Sequence, residues 1–138
     1  LAWASLRIDG LIEDSKRKEI LKEMLSKQLS GGGWATPAFL VDWEDYERLD
    51  KKPHDPSTPD AYGTGLAIIV AREMGIPAKD QRIQKGIKWL KNNQRQSGSW
   101  FTRSPAEDSK HYITNTGTAF AVLALQSCGE FERWPFGK

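Results

Sequence analysis

The side chains of this sequence with polar chemistry to offer gather at the starts of two predicted helices. Asp60, Tyr62 and Thr64 lie at one start. His111, Tyr112, Asn115 and Thr116 lie at the other, with Arg103 and Lys110 in the connection before it. Helix N-termini present unpaired N–H groups and a partial positive charge, which suit an anion or a polar head group. The same residues also fit a plainer role, with Asp60 and Asn115 as caps, the tyrosines as packing groups and His111 as a hydrogen-bonded structural residue. The lone Cys128 has no second cysteine for a disulfide or a zinc site, and it reads as a packing residue at the end of an apolar helix. No metal or cofactor is expected.

The elements that carry these residues recur along the chain. Gln28, Gly32 and Trp34 align without a gap with Gln94, Gly98 and Trp100, sixty-six residues later, each set behind an amphipathic run. A second repeat interleaves with the first: Tyr62 to Val70 resembles Thr116 to Ala124, and Met74-Gly75 matches Cys128-Gly129. Leu1 to Gly10 reads as the tail of a third copy. Self-similarity at a fixed period is the mark of a repeat architecture.

Two kinds of helix alternate. One kind, predicted from about Asp14 to Gln28 and from about Asp80 to Asn93, has a single apolar face (Ile20, Leu21, Met24 and Leu25; Ile83, Ile87 and Leu90, with Trp89 beside it) and is therefore an outer helix. The other is apolar nearly all round. It runs from Ala61 to Met74, with Thr58 and Pro59 as the start signal and Gly75 and Pro77 as the stop, and again from about Asn115 to Cys128. Glycine and alanine at 63, 65, 67, 117, 119 and 121 allow close backbone approach, which makes these inner helices. No segment alternates with period two. The predicted fold is all-α, a partial α/α toroid of about two and a half helix pairs, with repeat units at roughly 1–34, 58–100 and an incomplete 114–138. Two long connections, 35–57 and 101–114, run from each tryptophan to an inner helix and read either as functional loops or as ordered covers.

Composition narrows the classes. The chain has 138 residues, 38% hydrophobic and 28% charged, with a net charge of +2, which fits one soluble domain and argues against nucleic acid as a partner. The run Glu13 to Glu19 alternates in sign, as a solvated helix face does. Apolar stretches such as Ala119 to Leu125 fall far short of the roughly 20 residues of a spanning helix, so no transmembrane segment is expected. Leu1 stands where a start methionine would, which predicts a piece of a longer protein. The Trp134-Pro135-Phe136 tail reads as a terminal cover, so a C-terminal piece is expected.

Lys85-Gly86-x-x-Trp89-Leu90-x-x-x-Gln94-x-x-x-Gly98-x-Trp100 resembles the QW repeat of squalene–hopene and oxidosqualene cyclases. The surrounding helix pattern is similar to the wider terpenoid cyclase and protein prenyltransferase group over essentially the whole chain. The earlier copy departs from it, with Glu19, Ile20 and Glu23 in place of Lys85, Gly86 and Trp89. The resemblance implies a barrel of inner helices ringed by outer ones. It also implies a cavity mouth where the inner-helix N-termini converge, lined here by Asp60, Tyr62, Arg103, His111, Tyr112 and Asn115. Gln28, Trp34, Gln94, Gly98 and Trp100 are assigned to stability, with the indole stacked on the glutamine amide and the amide bonded to a neighbouring helix end.

The family's chemistry does not carry over residue by residue. The cyclases protonate an alkene with an aspartic acid of a DxDD motif, which demands a buried carboxyl with a raised pKa. The nearest string, Asp42-Trp43-Glu44-Asp45, has Glu44 at the third position and reads as solvated loop acid. Prenyltransferases hold zinc with Asp, Cys and His, yet Cys128 has no Asp two residues before it, and neither His54 nor His111 is placed to complete the set. The expectation is a segment that binds an isoprenoid or other apolar small molecule without supplying the catalytic groups. Its inner helices would be covered by the rest of a parent chain or by a second copy. Two alternatives stand beside it: a non-catalytic interaction module on the same fold, and a carbohydrate-active α/α barrel using Trp43, Tyr46 and Tyr112 as sugar platforms.

Overall fold

A computed structural model describes residues 2–39 and 46–131, and no strand occurs among them. The strings Asp42-Trp43-Glu44-Asp45 and Trp134-Pro135-Phe136 lie outside the described residues. In chain order the helices are α1 (Ala2–Ser5), α2 (Asp14–Ser26), α3 (Ala61–Glu73), α4 (Gln81–Asn92) and α5 (Tyr112–Ser127), with a 3-10 turn at Thr36–Phe39.

Burial separates α3 from the amphipathic helices α2 and α4. In α3 the residues Ala61, Gly63, Thr64, Gly65 and Ala67 to Ala71 are all buried. In α4 only the stripe Ile83, Gly86, Ile87 and Leu90 is, and in α2 only Leu25. A helix enclosed on most sides must sit between others, whereas a helix with one dry stripe borders water. α3 is therefore an inner helix and α2 and α4 are outer ones, while α5, buried only at Gly117, Ala121, Ala124 and Leu125, joins the inner layer because its backbone packs directly along α3. The inner pair approaches closely: a Cβ placed on Gly65 would lie 2.6 Å from the Phe120 carbonyl carbon, so only glycine allows this crossing.

The motif residues join the layers. Trp34 and Trp100 are enclosed, at 0% and 2% exposure. Each indole N–H donates to a last-turn carbonyl of its own outer helix, Trp34 to Met24 at 2.9 Å and Trp100 to Leu90 at 2.7 Å. Each of these carbonyls also accepts from the turn that ends its helix, Met24 O from Lys27 N at 3.3 Å and Leu90 O from Asn93 N at 3.2 Å, so the indole adds a second bond at a helix end where i to i+4 partners run out. The tryptophan peptide groups are held by the following inner helix. The Trp34 N–H donates to Thr64 Oγ1 at 2.9 Å while that hydroxyl donates back to the Trp34 carbonyl at 3.2 Å. The Trp100 N–H donates to Thr118 Oγ1 at 3.1 Å, and the Thr118 hydroxyl is shared between Thr114 O at 2.9 Å and the Trp100 carbonyl at 3.4 Å.

Several boundaries differ from the sequence reading. α2 stops at Ser26, two residues before the Gln28 expected to end it, while α4 stops at Asn92 with the expected Asn93 as its cap. The chain there folds into a tight turn closed by Gly32 N to Leu29 O and Gly98 N to Arg95 O, both 2.8 Å, with Gly32 and Gly98 at φ 96° and 83°. Gln28 Nε2 donates to Gly32 O at 2.7 Å and to Arg82 O at 2.8 Å. The amide thus reaches the neighbouring helix α4 in its first turn, and the last-turn carbonyls go to the indoles instead. α1 ends at Ser5 rather than near Gly10, because Arg17 takes the Ser5 hydroxyl at 3.2 Å and its carbonyl at 3.1 Å. α3 starts after Asp60, whose carboxylate accepts from Gly63 N at 2.9 Å; Thr58 and Pro59 precede the cap. α5 begins three residues ahead of Asn115, which places Asn115 inside the helix rather than at its cap.

Replacing Trp100 or Trp34 with alanine removes an enclosed indole and its bond to a last-turn carbonyl. Each change should cost roughly 3–5 kcal/mol in urea unfolding. A loss below about 1 kcal/mol would show that the ring is not part of the core.

Candidate functional site

The ends of α3 and α5 that start these helices are roofed by the two connections, residues 46–60 and 101–111. At the centre is Arg48, 2% exposed, a residue the sequence reading passed over. Its guanidinium donates to Asp50 at 2.7 and 2.9 Å, to Asp108 at 2.6 Å and to the Ser104 carbonyl. Lys52 and Arg103 add bonds to Asp108 at 2.6 and 2.7 Å, and Leu49 N donates to Ala106 O at 2.8 Å. A buried guanidinium persists only when its charge and donors are matched, and the two aspartates match them from both connections. The Arg48 hydrogen bond holds the Asp50 carboxyl well below the ordinary range, and Arg103 with Lys52 does the same for Asp108. Arg103 and Lys110, expected to lend positive charge to a mouth, are paired with Asp108 at 2.7 Å and Glu107 at 3.3 Å.

Asp60 is the buried carboxylate of the described residues. Its oxygens accept from Thr36 N and Thr36 Oγ1, both at 2.7 Å, and from Gly63 N. Burial pushes its pKa up, while these donors pull the other way. The next N–H groups of α3 are also taken, Ala61 by Phe101 O at 3.4 Å and Tyr62 by Thr102 Oγ1 at 3.1 Å. The start of α3 is therefore closed by protein rather than open to an anion. At α5 the cap position is His111, whose side chain makes no capping bond.

Five of the six mouth candidates surround adjoining hollows at this end. Asp60 and Arg103 border a cleft of about 90 Å³ walled by Pro37, Pro59, Pro105 and Phe101. Arg103 and His111 share a hollow of about 240 Å³. His111, Tyr112 and Asn115 share one of about 500 Å³ with Arg95, whose guanidinium sits 4.9 Å from the Phe101 ring centre. Tyr62 belongs elsewhere. Its ring meets Phe120 edge-on at 4.9 Å, and Phe120 meets Trp3 edge-on at 5.8 Å. Trp3 is 40% exposed, and Tyr62, Leu66 and Phe120 are half-buried. These aromatic rings form an apolar wall on the inner layer. Sequence reasoning missed Trp3, Leu66 and Phe120, although the repeat alignment sets Leu66 opposite Phe120. It placed Thr64 at the mouth rather than on Trp34, and it missed Thr118, which that alignment pairs with Thr64. No group of three or more His, Cys, Asp or Glu side chains able to hold a metal occurs among the described residues. No helix among them is long and apolar enough to cross a membrane.

Residues 57–135 match the family model of the squalene-hopene cyclase C-terminal domain. The chain is 33% identical over 113 residues to sporulenol synthase of Bacillus subtilis, covering 77% of this chain and 16% of that protein. It is 34% identical over 89 residues to the squalene-hopene cyclase of Schizosaccharomyces japonicus, covering 59% and 13%. Against the squalene–hopene cyclase of Alicyclobacillus acidocaldarius it is 32% identical over 107 residues, covering 66% and 17%. The chain thus spans less than a fifth of these relatives' length. No solved structure matches it.

The ionic roof carries a pH signature. Asp50 and Asp108 have folded pKa values below their unfolded ones, so the stability they contribute is present above the ordinary carboxylate range and fades as pH falls through it. Asp60, shifted upward, works with the opposite sign and contributes most below that range. The gap in melting temperature between the wild type and Asp108→Asn should therefore shrink as pH is lowered from about 6 to about 2. A gap that stays constant across that range would contradict the assignment.

Proposed function

Because the chain belongs to the squalene–hopene cyclase C-terminal domain family, we propose that it forms a sector of cavity wall that holds a polyisoprenoid or a comparably apolar small molecule. The observation that carries this reading is the run of Trp3, Phe120 and Tyr62, edge to face on the inner layer. Aromatic rings in such contact present a large apolar area, which suits a flexible hydrocarbon chain. The curated relatives named for squalene–hopene cyclisation support the ligand class.

Within that wall the segment's part is binding and shaping. Asp60 is engaged by three donors as a cap and a tie to Thr36, so proton donation is not assigned to it. The ionic roof holds the two connections over one end of the inner layer, which limits water entry from that side. A second reading, an interaction module on the same fold, draws support from the uncovered apolar side of α5, where Val122 and Leu123 are 40% and 48% exposed.

Titration with farnesol, followed by side-chain NMR, should shift the Trp3, Tyr62 and Phe120 ring signals together. Phe120→Ala should weaken the affinity roughly tenfold, about 1.4 kcal/mol. Shifts confined to the hollow around His111 and Tyr112, or a response to a disaccharide instead, would reject the apolar-wall reading.

A further inference from the structure

We infer that a hollow on the outer surface, between the turn after α2 and the helix α4, is a binding site for a phosphoryl group. The hollow measures about 290 Å³. Ser30 and Gly31 of the turn form one wall, and Lys85, Lys88, Trp89 and Asn92 of α4 form the other. No carboxylate lines it among the described residues.

The donors around it are not engaged by the fold. Arg82 and Lys91, toward the two ends of α4, are paired with Asp80 at 3.0 Å and with Glu130. Lys85 and Lys88 lie between them, are exposed, and form no ion pair or side-chain hydrogen bond among the described residues. Lysines three apart share one side of a helix and repel each other unless an anion lies between them. Trp89 adds a neutral donor. The indoles of Trp34 and Trp100 each donate to a carbonyl, whereas the partly buried Trp89 indole meets no acceptor among the described residues. An indole N–H can only donate, and an enclosed one usually has a partner. Its Cδ1 edge, next to Nε1, faces the turn: a Cβ on Gly31 would stand 4.0 Å from Cδ1. The main-chain N–H groups of Ser30 and Gly31 are also unengaged, because the turn closes through Leu29 N and Gly32 N instead. The amide of Asn93 at the rim is taken, donating to Trp89 O at 2.8 Å.

Two lysines, an indole N–H, a hydroxyl and two peptide N–H groups thus border one space without a matching acceptor. Charge complementarity calls for an anion, and the arrangement on two walls selects its shape. A carboxylate offers two oxygens in one plane. A phosphoryl group has three strong acceptor oxygens pointing apart, so it can accept from the turn and the helix together. The hollow lies on the water-facing side of α4, away from the aromatic wall of the inner layer. Failure of isoprenoid binding would leave this inference standing.

The test follows side-chain and backbone N–H signals by NMR at pH 7 while inorganic phosphate replaces chloride at constant ionic strength. The Trp89 indole signal, identified through Trp89→Phe, should shift saturably together with Gly31 N–H, while those of Trp34 and Trp100 stay in place. Lys85→Gln and Lys88→Gln should each weaken the binding about tenfold. Gly31→Asp, which puts a carboxylate into the hollow at an uncrowded position, should abolish it. Vesicles of phosphatidylcholine with and without phosphatidic acid separate the two sources. Saturation by phosphate assigns a soluble ligand, and a response only to phosphatidic acid assigns a lipid headgroup. Equal shifts with acetate, no response to phosphate or to either vesicle, or unchanged affinity in both lysine variants would overturn the proposal. Both lysines are exposed, so their variants decide the matter even if Gly31→Asp fails to fold.

Discussion

Two threonine hydroxyls bind the layers of this fold together. The Thr64 hydroxyl both accepts from the Trp34 N–H and donates to the Trp34 carbonyl, so one inner-helix side chain satisfies both sides of a buried peptide residue. The same tryptophan closes its own outer helix with the indole N–H. An outer helix end, a turn and an inner helix start are thereby fixed around one ring, and any movement of one strands polar groups on the others. Buried N–H and C=O groups without partners are costly, so this arrangement acts as a single unit. Trp100 and Thr118 repeat it at longer range, with the Thr118 hydroxyl shared between the Trp100 carbonyl at 3.4 Å and Thr114 O of its own helix at 2.9 Å. The second junction is the looser of the two.

The roof solves a different problem. Two long connections cross the starts of the inner helices, and loops that cover helix ends must satisfy many backbone groups. Part of the answer is direct: Phe101 and Thr102 take the first N–H groups of α3, and Asp60 takes the third. The rest is ionic. Arg48 sits below the surface with carboxylates from both connections, so the two loops are held to each other as well as to the helices. The positive charge that these segments carry in sequence is largely paired with their own carboxylates, Arg48, Lys52 and Arg103 with Asp108 and Lys110 with Glu107.

Much of the helical plan was legible because it depends on local pattern. Apolar residues around the whole of α3, and along one stripe of α4, specify which helix is enclosed without knowledge of the partner. The Gln–Gly–Trp spacing marked two equivalent turns. Two start signals stood side by side in the sequence, Thr58 before Pro59 and Asp60 itself; Asp60 is the cap through Gly63 N, and its further tie to Thr36, twenty-four residues away in the chain, is one no local signal contains. Arg48 was invisible for the same reason. An arginine beside two acids reads as solvated surface until a second loop brings Asp108 and the Ser104 carbonyl to it.

The order of elements, their inner or outer character and the family were determined by the residues alone, since periodicity and repeat spacing are properties of the chain itself. Which polar side chains lie free and which are consumed was decided only by tertiary structure. A carboxylate, a guanidinium or a threonine hydroxyl takes its role from whatever distant group it meets, and those meetings, Asp60 with Thr36, Arg48 with Asp108 and Thr64 with Trp34, exist only once the layers have packed.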